Sequence, residues 1–166
     1  MPDTANEEDA KSDSALDLKF LSHGTIDVVD IAASRKFYED FLGLEVVRTS
    51  EISLMVRLGG AHIYAAVETG KKNSKMPFLY HNGLDVRSDE EVEACHRIVV
   101  EQAEKWGLYG ITKPSVQHGT YSFYFWDMAD NCWEILQNPV GGYTWLFDKG
   151  DLEGRGHLSR DFDRTT

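Results

Sequence analysis

Two histidines and one glutamate have the residue types and the placement expected of a metal site. His23 and His81 each occupy the fourth position of a repeated motif, FLSHGTIDV (20–28) and FLYHNGLDV (78–86), in which five of nine positions are identical. Glu134 lies in the otherwise apolar run CWEIL. An unpaired carboxylate in such a strand would cost several kcal/mol, or stay protonated, unless a cation met it. Two imidazoles and one carboxylate on one face of a metal form the facial triad typical of non-haem Fe(II) oxygenases.

The first half of the chain must position His23. Alternation of apolar and polar residues predicts a strand over 18–29. The run DIAASRKFYEDFLGLE predicts a short helix that Ser34 caps and Gly43 ends. Three further strands are predicted at 44–50, 52–58 and 61–68, with Gly59-Gly60 as a hairpin turn.

The second half repeats this order and must position His81 and Glu134. A strand over 77–86 precedes a helix that opens with the capping box Ser88 to Glu91 and closes near Gly107. Further strands are predicted around 109–113, 119–126 and 132–138. Each half therefore reads βαβββ, and neither half can bury both faces of its sheet alone. We predict an α+β fold of two paired modules, 18–69 and 77–138.

Composition limits the partners and the compartment. The chain has 166 residues and a net charge of −11, which argues against nucleic acid and anionic membranes as partners. Residues 1–17 are acidic and poor in large apolar side chains, which predicts a disordered tail rather than a secretory signal. Residues 139–166 are predicted to be a C-terminal extension that packs only in part. No apolar run is long enough to span a bilayer, and two separated cysteines suit a reducing, cytoplasmic location.

The chain resembles the vicinal oxygen chelate superfamily, which includes glyoxalase I, bleomycin-resistance proteins and extradiol dioxygenases. The resemblance is carried by FLSHGTIDVVDIAASRKFYEDFLGLEV, FLYHNGLDV and SFYFWDMADNCWEIL, which occur in the family's order and together cover residues 18 to about 138. It implies two βαβββ modules that curl into an incomplete barrel around a metal. It also implies that His23, His81 and Glu134 are the metal ligands.

The position of a fourth ligand distinguishes the subclasses. Glyoxalase I-type enzymes place a fourth protein ligand, usually Glu, on a strand of the first module. Aligning GGAHIY with DNCWEI puts Ile63 opposite Glu134, which predicts open metal positions for a bidentate substrate and O₂. A register slip of one residue would instead turn His62 or Tyr64 inward. Fe(II) is the preferred metal for this ligand set, with Mn(II), Zn(II) and Ni(II) as alternatives.

Several further residues are candidates for roles beside the metal. Extradiol dioxygenases have a substrate-binding tyrosine in a setting similar to Ser122-Phe123-Tyr124, which makes Tyr124 a predicted catalytic residue. His118 lies at the entrance to the same strand face and is a predicted acid/base or substrate-positioning group. His62 and Tyr143 are predicted substrate contacts. His157 is another, because GRGHL (154–158) resembles the C-terminal ending of extradiol dioxygenases.

These observations predict a metal-dependent oxygenase that opens the ring of a catechol-like substrate with O₂. One alternative is a metal-dependent isomerase, epimerase or lyase of the same superfamily. Another is a protein that sequesters an antibiotic or other aromatic ligand, although such members usually lack the metal ligands. The sequence leaves the oligomeric state open: two modules could close one site within a monomer, and a homodimer would cover exposed edge strands.

Overall fold

The computed structural model describes residues 20–72, 75–159 and 162–164, so the predicted acidic tail, 1–17, lies outside the described residues. No helix in the described part of the chain has the length and apolar character needed to cross a membrane. The strands are β1 (His23–Val28), β2 (Glu45–Ser50), β3 (Ser53–Arg57), β4 (Ile63–Glu68), β5 (Asn82–Val86), β6 (Ser115–Gln117), β7 (Thr120–Trp126) and β8 (Cys132–Gln137). The helices are α1 (Ile31–Lys36), continued by a π-helical turn (Phe37–Phe41), α2 (Asp89–Trp106), α3 (Thr144–Lys149) and a 3₁₀ turn (Gly156–Leu158).

The two halves of the chain form two four-stranded sheets of the same topology. The first sheet has the order β1-β4-β3-β2 and the second has the order β5-β8-β7-β6. In each sheet the first strand pairs in parallel with the last strand of its module, and the other pairings are antiparallel. The predicted α+β fold of two βαβββ modules is therefore confirmed, and the sheets do not join into a closed barrel.

The helix ends follow known capping rules, with one correction to the sequence prediction. Asp30, and not Ser34, caps α1, because the Asp30 carboxylate accepts a hydrogen bond from Ala33 N at 2.8 Å. Ser34 lies in the helix and is buried. The capping box of α2 is confirmed, since Ser88 Oγ accepts from Glu91 N at 3.2 Å. Gly107 ends α2 with a φ of 65°, a conformation that glycine adopts without strain.

The modules share one apolar core, which lies where the first helix meets the second sheet. The Tyr38 ring packs against the Trp133 ring of β8 with centroids 6.1 Å apart, and Phe37 packs against Trp106 at the same separation. A hydrogen bond of 3.0 Å from Asn131 Nδ2 to Asp27 O also joins the modules. The first helix therefore supports the strand that carries Glu134.

A buried aspartate organises the turn between β7 and β8. The Asp127 carboxylate accepts hydrogen bonds from Ala129 N at 2.8 Å, Asn131 N at 3.0 Å and Trp133 Nε1 at 2.9 Å. Asp127 is 2% exposed, and burial, the main influence, raises the pKa of its carboxyl group despite these hydrogen bonds. The turn sets the pairing of the two strands that carry Tyr124 and Glu134.

Replacing Asp127 should therefore destabilise the fold strongly. Asp127→Ala leaves several buried N–H donors without an acceptor, and each such donor costs about 1–3 kcal/mol. We expect the free energy of unfolding, measured by urea titration, to fall by at least about 3 kcal/mol. Asp40→Ala is the matched control, because Asp40 is exposed, and it should change this free energy by less than about 0.5 kcal/mol. Equal effects of the two substitutions would contradict this role of Asp127.

Candidate metal centre

Strand register places the candidate ligands on equivalent faces of the two sheets. In β1, His23 and Thr25 lie on the face opposite to the buried Ile26. In the second module Gly83 pairs with Glu134, and Glu134 pairs with Tyr124, so these residues share one face. We call this the inner face of the second sheet.

The same register corrects the predicted counterpart of Glu134. Thr25 corresponds to Gly83 in the repeat, and Thr25 pairs with Ala65. Glu134 therefore corresponds to Ala65, two residues beyond the predicted Ile63. The two hairpin turns, 58–62 and 127–131, have equal lengths, but the sequence alignment placed Gly60 opposite Asn131, whereas the strand pairing makes it equivalent to Ala129. Because the shift is two residues, both Ile63 and Ala65 lie on the face of His23, and the apolar character of the position is retained.

His81 and Glu134 form the centre of the inner face. Their side chains approach to 3.2 Å between His81 Nε2 and Glu134 Oε2. The Glu134 side chain is 2% exposed and that of His81 is 27% exposed. His81 Nδ1 lies 2.9 Å from the carbonyl oxygen of Phe78. A hydrogen bond donated by Nδ1 to this carbonyl fixes the ring and directs Nε2 towards Glu134, as is usual for metal-binding histidines.

Three buried polar atoms beside this pair lack a hydrogen-bond partner among the described residues. They are Glu134 Oε1, the Tyr124 hydroxyl oxygen and Ser122 Oγ. Tyr124 and Ser122 are fully buried on the strand next to Glu134. Buried polar atoms without a partner are rare in folded proteins and indicate a place where a water, an ion or a ligand binds. The donor set of an imidazole nitrogen and a free carboxylate oxygen fits a divalent metal ion.

The pKa values of these groups follow from burial and from their proximity. The hydrogen bond with Glu134 is the largest influence on His81 and raises its pKa. Burial, the largest influence, acts to raise the pKa of Glu134, but the hydrogen bond with His81 and the hydroxyls of Tyr124 and Ser122 hold it below its usual value. These two hydroxyls lie close enough to the carboxylate to act on its charge, although neither has hydrogen-bond geometry with it. Burial first, and then Glu134, hold the pKa of Tyr124 far above its usual range, so that its phenol stays protonated. The centre thus combines a charged carboxylate with a phenol that keeps its proton and can donate it in a hydrogen bond.

Aromatic rings enclose the centre on one side. The Phe78 ring lies 4.3 Å from the Tyr124 ring, and the His81 ring lies 5.1 Å from it, both measured between centroids. Phe78 belongs to the same repeated motif as His81, but sequence reasoning assigned it no role. Its carbonyl oxygen orients His81 and its ring covers Tyr124, and only the observed turn at 77–80 shows that both act at one site.

The structure does not bring His23 to the His81–Glu134 pair. His23 is exposed, and its Nδ1 lies 2.7 Å from Ser22 Oγ. Within the described residues, no three His, Cys, Asp or Glu side chains lie together as a metal site would require. Of the predicted triad, His81 and Glu134 therefore lie together, and His23 lies apart from them.

The other predicted site residues divide between the inner face and the surface. Tyr143 lies at the inner face, since its hydroxyl oxygen is 3.5 Å from Thr120 Oγ1. Burial is the main cause of its raised pKa, and the negative charge of Glu134 raises this pKa further. His118 and His157 lie side by side, with ring centroids 5.7 Å apart, at the turn that precedes β7. From Thr120 to Tyr124 alone the strand extends about 13 Å, so His118 is remote from the metal pair. His62 is exposed and its ring contacts Tyr64.

Comparison with known proteins supports the fold seen here. The family model of the Glyoxalase/Bleomycin resistance protein/Dioxygenase superfamily matches residues 21–146. None of the curated proteins compared with the chain matches it.

Solved structures share the architecture at low sequence identity. A possible glyoxalase from Bacillus cereus aligns with a TM-score of 0.58 at 22% identity, covering 72% of this chain and 99% of that one. The fosfomycin resistance protein FosX from Listeria monocytogenes, solved with Mn(II) and sulfate, aligns with a TM-score of 0.57 at 19% identity, covering 74% and 93%. A glyoxalase/dioxygenase from Nostoc punctiforme aligns with a TM-score of 0.58 at 20% identity, covering 77% and 99%.

The His81–Glu134 interaction should stabilise the metal-free protein only within a limited pH range. The lowered pKa of Glu134 contributes stability above its ordinary value, and this is lost as the pH falls through the folded-state pKa. The raised pKa of His81 contributes stability that is fully present below its ordinary value and lost as the pH rises through the folded-state pKa. A double-mutant cycle of His81→Ala and Glu134→Gln in chelator-treated protein measures the coupling free energy between the two side chains. This coupling should be about 1.5–3 kcal/mol at about pH 5.5 and much less at about pH 9.

The exposed pair Arg35–Glu39, with a separation of 2.9 Å, provides the control cycle. Its coupling free energy should be below about 1 kcal/mol and equal at both pH values. A coupling between His81 and Glu134 that does not change with pH would show that the pair is not ionised as described.

Proposed function

Because the chain belongs to the glyoxalase/bleomycin resistance protein/dioxygenase superfamily, we propose that it is a metal-dependent oxygenase that opens the ring of a catechol-like aromatic compound with O₂. The observation that carries the proposal is the cluster of Glu134 Oε1, the Tyr124 hydroxyl and Ser122 Oγ beside His81, all buried and without partners in the described chain. A metal and a ligand oxygen would satisfy these atoms.

The protein residues divide between holding the metal and receiving the substrate. His81 Nε2 and Glu134 would bind the metal, with His23 as the third ligand. A divalent iron held by these residues would supply the redox chemistry for the reaction of a catechol with O₂. Ala65, which corresponds to Glu134 in the repeat, offers no ligand atom. The coordination set therefore leaves positions for substrate and O₂.

Tyr124 is suited to bind a substrate oxygen. Its phenol is buried and stays protonated, because the same burial that excludes water also raises its pKa. It therefore donates a hydrogen bond to an oxygen atom bound beside Glu134, and this interaction strengthens if negative charge develops on that oxygen. The Phe78 ring, 4.3 Å from Tyr124, provides an apolar surface for an aromatic ring and keeps water out.

We propose that His23 reaches the metal from a second copy of the chain. His23 is exposed on the face of the first sheet that also carries Thr25 and Ala65, which we call the inner face of the first sheet. Its Nδ1 already has a partner in Ser22 Oγ, which leaves Nε2 available. The strands beside it present the apolar residues Ile63, Ala65 and Met55, all only partly buried. In a two-fold dimer the same contact occurs twice, so each of two sites would receive one histidine from the other copy.

Oxygen consumption tests the proposed reaction directly. Protein purified without oxygen and loaded with Fe(II) should consume O₂ when catechols are added, and His81→Ala should lower both bound iron and O₂ uptake at least about 100-fold. His96→Gln is the control, because His96 packs against Phe123 on the helix side of the sheet and should retain activity.

Other outcomes separate the alternative functions. Stoichiometric iron without O₂ uptake on any catechol would contradict the oxygenase and favour an isomerase, epimerase or lyase. Tight binding of aromatic compounds by a protein that takes up no metal would favour a sequestering protein.

Mixed dimers test the shared site. A heterodimer of one His23→Ala chain and one His81→Ala chain has one intact site and one doubly altered site, if each site combines two copies. It should bind about half the metal of the unaltered dimer, whereas each homodimeric variant should bind almost none. If all three ligands came from one chain, no mixture would recover metal. A monomeric unaltered chain with stoichiometric metal would also contradict the proposal.

A further inference from the structure

The segment after β8 crosses one end of the inner face of the second sheet. We define the cover as residues 141–159, which include α3. Tyr143 of the cover contacts Thr120, and Trp145 Nε1 donates a hydrogen bond to Asn138 Oδ1 at 3.2 Å. Beneath the cover, Thr120 and Leu136 are each 1% exposed. The cover therefore separates this end of the inner face from solvent.

An aromatic clasp fastens the cover to the turn before β7. The rings of Trp145 and Phe162 lie 6.0 Å apart and pack against the Cα of Gly119. A Cβ atom at Gly119 would lie 2.9 Å from Phe162 Cδ1, so the absence of a side chain permits this contact. Gly119 also has a φ of 75°, which glycine adopts without strain.

The backbone of the cover bonds to itself and not to the sheet. Its hydrogen bonds in the described residues include those from Thr144 N to Gly141 O, from Leu146 N to Tyr143 O and from Gly156 N to Glu153 O. In that part of the chain two bonds leave the cover, from Gly142 N to Pro139 O and from Phe162 N to Ser159 O, and neither reaches a strand. The strands below are joined by a continuous ladder. Moving the cover away would thus break side-chain contacts and the Gly142 N–Pro139 O bond at its base, while every backbone bond in the sheet remains.

Two consecutive glycines connect the cover to the sheet. Gly141 has a φ of 97° and Gly142 a φ of 62°, a region that other residues rarely adopt. They follow Asn138, Pro139 and Val140, and the carbonyl oxygens of Asn138 and Pro139 accept hydrogen bonds from Arg87 at 3.2 and 3.3 Å. Gly142 N also donates to Pro139 O at 3.1 Å. A fixed point therefore adjoins two residues with wide backbone freedom, which is the arrangement of a hinge.

We propose that residues 141–159 are a movable cover, hinged at Gly141-Gly142, that opens to admit a ligand to the inner face beside Glu134. The rings of Tyr143 and Trp145, with centroids 6.0 Å apart, line its underside and suit a flat aromatic ligand. That choice of ligand rests on the proposed function. The movement itself does not, and it is tested without metal or substrate.

A thiol placed beneath the cover reports its opening. In a Thr120→Cys protein the introduced thiol should react slowly with a soluble thiol reagent, and adding Trp145→Ala should accelerate its labelling by about tenfold or more. Phe147→Ala is the matched control on the same helix, because Phe147 is 87% exposed. It should leave the labelling rate within about twofold.

The native Cys132 separates local opening from loss of structure. Cys132 is fully buried at the other end of the inner face, against Met76 and Tyr109. Its labelling, read by mass spectrometry in the same molecules, should not change with Trp145→Ala. Parallel acceleration at Cys132, or equal effects of Trp145→Ala and Phe147→Ala, would overturn the proposal.

Hydrogen exchange tests the unaltered chain and does not depend on the folding of a variant. The amides of α3 should exchange at least about tenfold faster than those of β7 and β8, because opening of the cover leaves the sheet intact. Exchange of α3 at the rate of the sheet would show that the cover leaves only when the domain unfolds, and the proposal would then be wrong.

Discussion

The site depends on one electrostatic constraint, the burial of the Glu134 carboxylate. A side chain that is 2% exposed in an apolar strand cannot keep its charge without compensation. His81 supplies that compensation in the metal-free chain, and the Phe78 carbonyl oxygen holds the imidazole in position. One carboxylate oxygen is then paired and the other is left without a partner. A buried carboxylate oxygen without a partner is typical of a binding centre, whereas in a structural ion pair both oxygens would be satisfied.

The repeat supplies the scaffold, but its departures from symmetry supply the chemistry. Both modules present a histidine from the same motif, and both sheets have the same strand order. At the position of Glu134 the first module has Ala65, and Met55 pairs with Ala65 where Tyr124 pairs with Glu134. The first module therefore presents an apolar face with one exposed imidazole, that of His23. The second module contributes the carboxylate, the phenol and the orienting carbonyl oxygen.

Strand alternation was sufficient to predict the fold, the two modules, and Glu134 and Tyr124 on one face, because side-chain direction in a strand depends on parity alone. The helix cap and the strand register depend on local contacts and were harder to predict from the sequence. Asp30, and not Ser34, is the helix cap because α1 begins at Ile31, directly after Asp30. The counterpart of Glu134 is Ala65 and not Ile63, because Gly60 and Asn131 hold different positions in two turns of equal length. No pattern in the sequence reports that His23 lies apart from His81, since this depends on how the two sheets pack.

The inner faces of the two sheets differ in how they are covered, and this difference bears on assembly. The second sheet is closed by the chain itself, through Phe78 and Tyr143. On the first sheet, Val47 is 60% exposed and His23 is exposed beside apolar neighbours. Exposed apolar surface with a histidine at its centre is costly in water and is stabilised when another surface covers it. The proposed second copy would offer complementary chemistry, because its Glu134 carboxylate has one oxygen without a partner among the described residues.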